Sequence, residues 1–198
     1  MKPALTAIAA FALFGCQEAS SDSPGQAAAV GEPAAVTAIT PVAPGAKVVP
    51  GRTSRFTKVT DAACPLVEED KETGDFSRRC PGIAGWTVLW TSGDLRDDLT
   101  VARGKISKSF GYPSLVAKGP FDAIGETVEW RGPAGGEPDV LVARVHVARP
   151  DGSSDSGRLA VARLGDKPCV VAIVPPGAGQ SDRARAIADG SLPHCLED

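Results

Sequence analysis

Apolar and polar residues alternate with a period of two in several short segments after residue 85. In the clearest of them, Trp86, Val88 and Trp90 occupy every second position, and two threonines and a leucine stand between and after them. Because successive side chains of a strand point to opposite faces of a sheet, this period predicts half-buried β-strands. Further segments of β-favouring residues follow along the chain: 99–103, 127–131, 141–148, 158–164 and 169–174.

Loops of turn-forming residues separate these segments. Residues 132–136 carry Gly and Pro, and residues 151–157 carry Asp, Ser and Gly. Short polar loops of this kind connect antiparallel neighbours. We therefore expect an antiparallel meander from about residue 124 to residue 174.

Only the last part of the chain carries the end signals of a helix. In residues 181–189, Ser181 is available as the N-cap and Gly190 stands just past the end, as is typical of helix termini. The whole pattern predicts a mainly β fold, a small sandwich or partly closed barrel with one C-terminal helix.

The first residues have the profile of a cleavable export signal. Lys2 supplies one positive charge, and residues 4–14 form an uncharged, largely apolar run that ends at Gly15-Cys16. The run is too short to span a bilayer and is typical of a signal peptide. A small residue directly before Cys is what the lipoprotein signal peptidase accepts, and the segment resembles a bacterial lipobox, with Phe14 in place of the usual small residue.

We predict that residues 1–15 are removed and that Cys16 carries a lipid anchor. Each buried methylene of an acyl chain contributes about 0.8 kcal/mol, and several chains hold far better than one. Residue 17 is Gln rather than Asp, which predicts the periplasmic face of the outer membrane within the cell envelope. The alternative is an ordinary secretory signal that is cleaved elsewhere, for example at residues 27–29.

A segment of different composition follows the lipid site. Residues 16–51 contain no aromatic residue and are dominated by Ala, Pro, Ser, Gly and Val. Such a segment buries too little apolar surface to offset the entropy of ordering it. It is predicted to be a disordered tether, and residues 52–198 are predicted to form the globular domain, which is long enough to bury a core.

Four cysteines remain in this domain: Cys64, Cys80, Cys169 and Cys195. An even number in an exported domain favours disulfides. Three pairings are possible, and the pairing of sequence neighbours, Cys64 with Cys80 and Cys169 with Cys195, is the simplest. Zinc is the competing interpretation, but there is no Cys-x-x-Cys pair, so we predict no metal.

Composition and charge restrict the classes of partner. The chain is 42% hydrophobic and 23% charged, with a formal net charge of −3 at pH 7, which leaves no broad basic field for nucleic acid. No apolar run reaches the ~18 residues of a membrane-spanning helix. The predicted partners are the membrane, through the lipid on Cys16, and an envelope protein, with no cofactor.

Residues suited to catalysis do not form a known motif. There is no Gly-x-Ser-x-Gly or Ser-x-x-Lys sequence, and nothing pairs His146 or His194 with a nucleophile. We expect His146 on the solvent-facing row of its strand, as a cross-strand partner of Glu129. The acidic segment 68–75 is interpreted as a solvated loop rather than a cation site.

No catalytic residue is therefore proposed. The sequence gives only candidate ligand-facing residues, which are Trp86, Asp94, Arg96 and His146. The tryptophans are either the lining of a groove or, as is usual at alternate strand positions, part of the core.

Several short runs together carry a resemblance. They are Cys80-Pro81-Gly82, Gly93-Asp94-Leu95-Arg96, the run from Gly125 to Arg131, and the pair Cys169 and Cys195. In these runs the domain resembles a group of uncharacterised secreted proteins of alphaproteobacteria, and the resemblance implies no activity or catalytic residues. The domain is also similar to lysozyme-inhibitor lipoproteins, but their Ser-Gly-x-x-Tyr signature is replaced here by Ser92-Gly93-Asp94-Leu95-Arg96.

Three functions are consistent with these patterns. The first is a non-catalytic binding or structural module of the envelope, because the chain has a predicted lipid anchor, a predicted tether and a disulfide-bonded domain but no catalytic motif. The second is an inhibitor of an envelope hydrolase such as lysozyme. The third is a hydrolase that uses an acidic residue or histidine from distant strands.

Overall fold

A computed structural model of the chain describes residues 51–148 and 157–196. The predicted signal peptide, Cys16 and nearly all of the predicted tether lie outside these residues, as does most of the loop predicted at 151–157. In the described part of the chain, ten strands form two antiparallel sheets and one α-helix follows the last strand. No helix within these ranges has the length and apolarity needed to cross a membrane.

Sheet A contains the strands β1 (Arg52–Lys58), β7 (Asp122–Pro133), β8 (Val140–Val147), β9 (Arg158–Arg163) and β10 (Cys169–Val174). They lie side by side in the order β1-β7-β8-β9-β10, and each neighbour is antiparallel. Strands β7 to β10 follow one another in space as in sequence. The meander predicted for residues 124–174 is therefore confirmed, whereas β1 was not predicted.

Sheet B contains the strands β2 (Leu66–Glu69), β3 (Phe76–Cys80), β4 (Thr87–Gly93), β5 (Arg96–Arg103) and β6 (Ile106–Ser109). These strands lie in sequence order, and a short π-helical segment, Pro113–Ala117, precedes β7. Strands β2, β3 and β6 were not predicted. The predicted fold class is confirmed as a mainly β fold with two separate sheets that do not close into a barrel.

One apolar core is shared by the two sheets. Sheet B contributes the fully buried Val88 and Val101, and sheet A contributes Val128, Trp130 and Leu141. These side chains occupy alternate strand positions, as the period of two predicts. The two sheets therefore enclose their apolar faces between them, which is the main source of stability in a β domain of this size.

The C-terminal helix α1 (Gln180–Asp189) covers the other face of sheet A. Its buried Ala184 and Ala188 belong to a second apolar cluster with Val161 and Val171. The predicted helix is confirmed, but its N-cap is Gly179, in a left-handed conformation with φ 66°, and not Ser181. Because α1 covers this face, the first half of β8 is buried on both faces. Buried and partly exposed residues alternate only in its second half.

A buried ion-pair cluster fastens α1 to sheet A. The guanidinium of Arg131 on β7 donates two hydrogen bonds to the carboxylate of Asp189, and Arg52 on β1 donates a third at 3.0 Å. Burial alone would raise the pKa of Asp189, but the hydrogen bonds and charges of Arg131 and Arg52 outweigh it and lower the pKa. The cluster therefore fixes the end of α1 against the two strands.

Two disulfides connect Cys64 with Cys80 and Cys169 with Cys195. The sequence left the connectivity open, and the structure has the pairing of sequence neighbours. The first bond joins the β1–β2 loop to the end of β3 and lies in the shared core. The second joins the start of β10 to the tail that follows α1.

Candidate functional site

Strands β4 and β5 are joined by a two-residue turn in which Asp94 and Leu95 both have positive φ angles, 52° and 58°. A two-residue hairpin favours such mirror-image turns, in which Asn, Asp or Gly are usual. A leucine in the left-handed region costs roughly 1–2 kcal/mol, and Leu95 is 68% exposed, so packing does not offset the cost. Strain that holds an apolar side chain in solvent points to function rather than stability.

A second exposed apolar residue, Phe121, lies at the same end of the molecule and is 43% exposed. The backbone N–H of Asp122 donates to the carbonyl oxygen of Leu95 at 3.3 Å. The Arg96 Nε donates to the carbonyl oxygen of Pro120 at 3.1 Å. These two bonds tie the segment that contains Phe121 to the β4–β5 turn.

An acidic turn between β2 and β3 adjoins these residues. The backbone N–H of Asp94 donates to Asp75 Oδ1 at 3.1 Å, and the turn is closed by Asp70, whose Oδ1 accepts the N–H of Glu72 at 2.8 Å. The β2–β3 hairpin borders an open cleft of about 560 Å³. The cleft is lined by Glu68, Glu69, Asp70, Lys71, Glu72, Asp75, Phe76 and Ser77, so carboxylates outnumber ammonium groups by five to one.

We call the turn Asp94–Leu95, the segment Pro120–Phe121 and the acidic turn 70–75 together the hairpin end. The segment 68–75 was predicted to be one solvated loop, whereas Glu68 and Glu69 belong to strand β2. All of the residues 68–74 are exposed. Among the residues that the structure describes, no group of His, Cys, Asp and Glu side chains is arranged to hold a metal ion.

Two buried carboxyl groups, one on β5 and one on β7, lie next to the hairpin end. Asp122 Oδ1 accepts the backbone N–H of Asp97 at 2.8 Å, and Asp97 Oδ2 accepts the backbone N–H of Ile124 at 3.0 Å. This reciprocal pair joins β5 of sheet B to β7 of sheet A. The pKa of Asp122 is raised to about 6. Burial is the main cause and the charges of Asp97 and Asp98 add to it, whereas the hydrogen bond from the Asp97 N–H and the charge of Arg96 lower the pKa.

The structure brings two of the four candidate ligand-facing residues together. Asp94 and Arg96 both belong to or border the β4–β5 turn and are exposed. Trp86 precedes β4 at the opposite end of that strand and is only 2% exposed, beneath the guanidinium of Arg103 at 4.6 Å from its ring. Trp86 is therefore a core residue and does not face a ligand. Trp90 is half-buried and meets Phe76 edge-on, with ring centroids 4.9 Å apart.

His146 lies away from the β4–β5 turn, half-buried on sheet A. The prediction that it pairs across strands with Glu129 is wrong, because the β7–β8 register places His146 opposite Ala123 and Glu129 opposite Val142. Glu129 instead accepts hydrogen bonds from Arg185 of α1, at 2.8 and 3.2 Å. Within residues 51–148 and 157–196, neither His146 nor His194 is hydrogen-bonded to a serine, cysteine or carboxylate.

Leu95 and Phe121, the exposed apolar residues of the hairpin end, were not among the candidates that the sequence indicates. The period of two does not identify them, because Leu95 lies in a turn and Phe121 lies just before β7. The only signal in the sequence is an Asp-Leu pair where a tight hairpin would favour Asp-Gly. Comparison with protein-family models, curated proteins and solved structures gives no match for this chain, so the resemblance to secreted alphaproteobacterial proteins stays a prediction.

Proposed function

We propose that this chain is an envelope lipoprotein, anchored through Cys16 at the periplasmic face of the outer membrane, and that its domain binds a partner protein through the hairpin end. The observation that carries the proposal is the combination of solvent exposure and positive φ at Leu95. Its exposed side chain is held in a conformation that reduces stability, and a binding role accounts for that cost. A buried apolar anchor at the centre of an interface supplies much of its binding free energy.

The charges around Leu95 define the chemistry of the partner. Asp94 is part of the turn and its backbone N–H donates to Asp75, and the acidic cleft that Asp70 and Asp75 line has one lysine among its lining residues. A partner with an apolar recess bordered by Lys and Arg fits this surface. Opposite charges at the rim of an interface speed association and exclude partners with the wrong sign.

The base of the hairpin end supports binding as well. The carboxylate of Asp122 accepts the backbone N–H of Asp97, and the carboxylate of Asp97 accepts that of Ile124. Because these bonds join β5 to β7, the turn and the Phe121 segment are held in a defined relation before a partner arrives. Preorganisation of this kind reduces the conformational entropy that is lost when a partner binds.

In-cell photocrosslinking tests this proposal. A benzophenone analogue of phenylalanine replaces Phe121, whose ring it resembles, and a control carries the same group at Lys105 in the β5–β6 turn, at the other end of sheet B. We expect one discrete crosslinked protein from position 121 and none from position 105. Equal crosslinking from the two positions, or none from either, contradicts the proposal.

A pair of turn variants separates binding from folding. Leu95→Asn removes the apolar side chain at a position where Asn is well tolerated, and it is expected to abolish the crosslink from position 121. Ala84→Asn is the matched control, because Ala84 is exposed with φ 54° in a turn that precedes β4. We expect Ala84→Asn to retain the crosslink.

A second candidate function is inhibition of an envelope hydrolase such as lysozyme. The observation that favours it is the acidic turn beside an exposed leucine, which is complementary to a hydrolase surface bordered by Lys and Arg. A lysis assay with the purified protein tests it. Protection of cells that is lost in Leu95→Asn and kept in Ala84→Asn supports inhibition, and lysis at an unchanged rate contradicts it.

A further inference from the structure

The two disulfides differ in their surroundings. Cys64 and Cys80 are both buried in the core that the two sheets share. Cys195, in contrast, is exposed and lies in the tail after α1, where no regular secondary structure is formed. An external thiol can therefore approach the sulfur of Cys195 without unfolding of the domain.

A guanidinium group lies against both sulfurs of the exposed bond. Arg163 Nη2 is 3.2 Å from Cys195 Sγ and 3.5 Å from Cys169 Sγ. Arg163 is directly opposite Cys169 in the β9–β10 pair, so the contact is set by the register of sheet A. Among the described residues, Arg163 forms no ion pair with a carboxylate, and its charge is available to the sulfurs.

A positive charge at this position favours the thiolate form of a cysteine. Neighbouring Arg and Lys lower the pKa of a thiol, and a thiol of lower pKa leaves faster in thiol–disulfide exchange. Arg163 also attracts the anionic thiolate that attacks. Both effects act on the Cys169–Cys195 bond. Within the described part of the chain, Arg163 makes no hydrogen bond to Cys64 or Cys80.

We propose that the Cys169–Cys195 bond is a site of reversible exchange with an external dithiol. A thiolate of the dithiol attacks Cys195 Sγ and forms a mixed disulfide with it, while the Cys169–Cys195 bond breaks and its electron pair leaves on Cys169 beside Arg163. The second thiol of the donor then attacks the mixed disulfide and releases Cys195 as a thiolate. The donor is oxidised to its own disulfide by two electrons, and both cysteines take up the protons that the donor gives.

Exchange at this bond would release the C-terminal tail. Apart from the disulfide, the end of the tail is held by a backbone hydrogen bond from Leu196 to the carbonyl oxygen of Val170, at 2.8 Å. A cavity of about 330 Å³ lies beneath the tail, lined by Phe110, Leu115 and Leu196 together with both cysteines of the bond. Reduction would therefore uncover apolar surface at the edge of sheet A.

The test compares the two disulfides in the same sample. The full chain, kept in detergent, is treated with dithiothreitol at pH 7 without denaturant, the reaction is stopped by alkylation, and each cysteine is quantified by peptide mass spectrometry. We expect the Cys169–Cys195 bond to be reduced at least about tenfold faster than the Cys64–Cys80 bond. Reduction of both bonds at one rate would overturn the proposal.

A charge series at position 163 tests the role of the guanidinium. Arg163→Gln is expected to slow reduction of the Cys169–Cys195 bond by roughly three- to tenfold, and Arg163→Lys by less. The rate at the Cys64–Cys80 bond reports unfolding, because that bond becomes accessible only when the core opens. Unchanged reduction in Arg163→Gln at a constant Cys64–Cys80 rate would overturn the role of Arg163.

The wild-type protein provides a test that does not depend on any variant folding. Added salt screens the attraction between the guanidinium and the incoming thiolate. We expect the rate at Cys169–Cys195 to fall as the salt concentration rises, and the ratio of the two disulfide rates to fall with it. A ratio that is independent of salt would count against electrostatic assistance by Arg163.

Discussion

The carboxyl group of Asp122 accepts the backbone N–H of Asp97 at 2.8 Å, and the two carboxyl groups lie close enough for the charge of one to raise the pKa of the other. Asp122 Oδ2 is buried and has no hydrogen-bond partner among the described residues. The contact that joins sheet B to sheet A therefore contains a carboxyl group for which ionisation is unfavourable.

The first prediction is that Asp122 makes the domain less stable as the pH rises from 4 to 7. The folded-state pKa of about 6 exceeds the ordinary value of 3.8, so the folded protein holds this proton more tightly than the unfolded chain. The stability from protonated Asp122 is complete below about pH 4 and is lost as the pH passes 6, with a total of roughly 2–3 kcal/mol.

Asp122→Asn isolates this effect, because the amide oxygen still accepts the Asp97 N–H but does not ionise. Urea unfolding of both proteins from pH 4 to pH 8 gives the difference in their free energies of unfolding. We expect the difference to change in favour of the variant by about 2 kcal/mol over this range. A difference that is constant with pH contradicts the prediction.

The second prediction concerns the strain at Leu95. Leu95→Asn is expected to raise the free energy of unfolding by about 0.5–1 kcal/mol, since Asn adopts the left-handed conformation at lower cost. Leu95→Val is expected to lower it, since β-branched residues are the least suited to positive φ. Thermal unfolding of the two variants checks the sign. Equal stabilities would mean that the turn relaxes and stores no strain.

The core could be predicted from the sequence because its signal is local. Val88 and Trp130 occupy alternate positions in β-favouring segments, and a period of two is sufficient to assign them to a buried face. The helix was recognised for the same reason, from Gly190 at its end. The strands that were missed are short or polar: β2 has four exposed residues and β6 has four with only Ile106 partly buried.

Register could not be predicted because it depends on contacts distant in sequence. Gly132 was interpreted as part of a turn, but it lies inside β7, where a Cβ atom would stand 2.5 Å from the carbonyl oxygen of Glu137. The hairpin closes instead through the Asp139 N–H, which donates to the Arg131 carbonyl at 3.0 Å. The register that follows from this closure places Glu129 opposite Val142 and not opposite His146.

The hairpin end could not be predicted for a similar reason. Asp94 and Arg96 were recognised as candidates, but the exposed Phe121 reaches the same surface only through the packing of sheet A on sheet B. A turn with leucine at positive φ also contradicts the propensity on which sequence interpretation depends. Conflicts of this kind between local preference and the fold are expected at functional sites.

The third prediction concerns the ion-pair cluster beneath α1. Asp189→Asn leaves the buried guanidinium of Arg131 with one fewer charge partner and is expected to destabilise the domain by roughly 3 kcal/mol. The double variant Arg131→Met, Asp189→Leu removes both charges together and is expected to recover most of that loss. Urea unfolding measures both, and a double variant less stable than Asp189→Asn would contradict this account.

The fourth prediction concerns the anchor. Cells grown with an alkyne fatty acid should label the wild-type protein, and Cys16→Ser should abolish the label, because the thiol that accepts the acyl chains is then missing. Gln17→Asp should keep the label but shift the protein from the outer-membrane to the inner-membrane fraction.

Phe14→Ala is the matched control, since a smaller residue before Gly15 is expected to leave processing intact. An unlabelled wild-type protein, or a label that persists in Cys16→Ser, would contradict acylation at Cys16 and with it the membrane anchor of the proposed function.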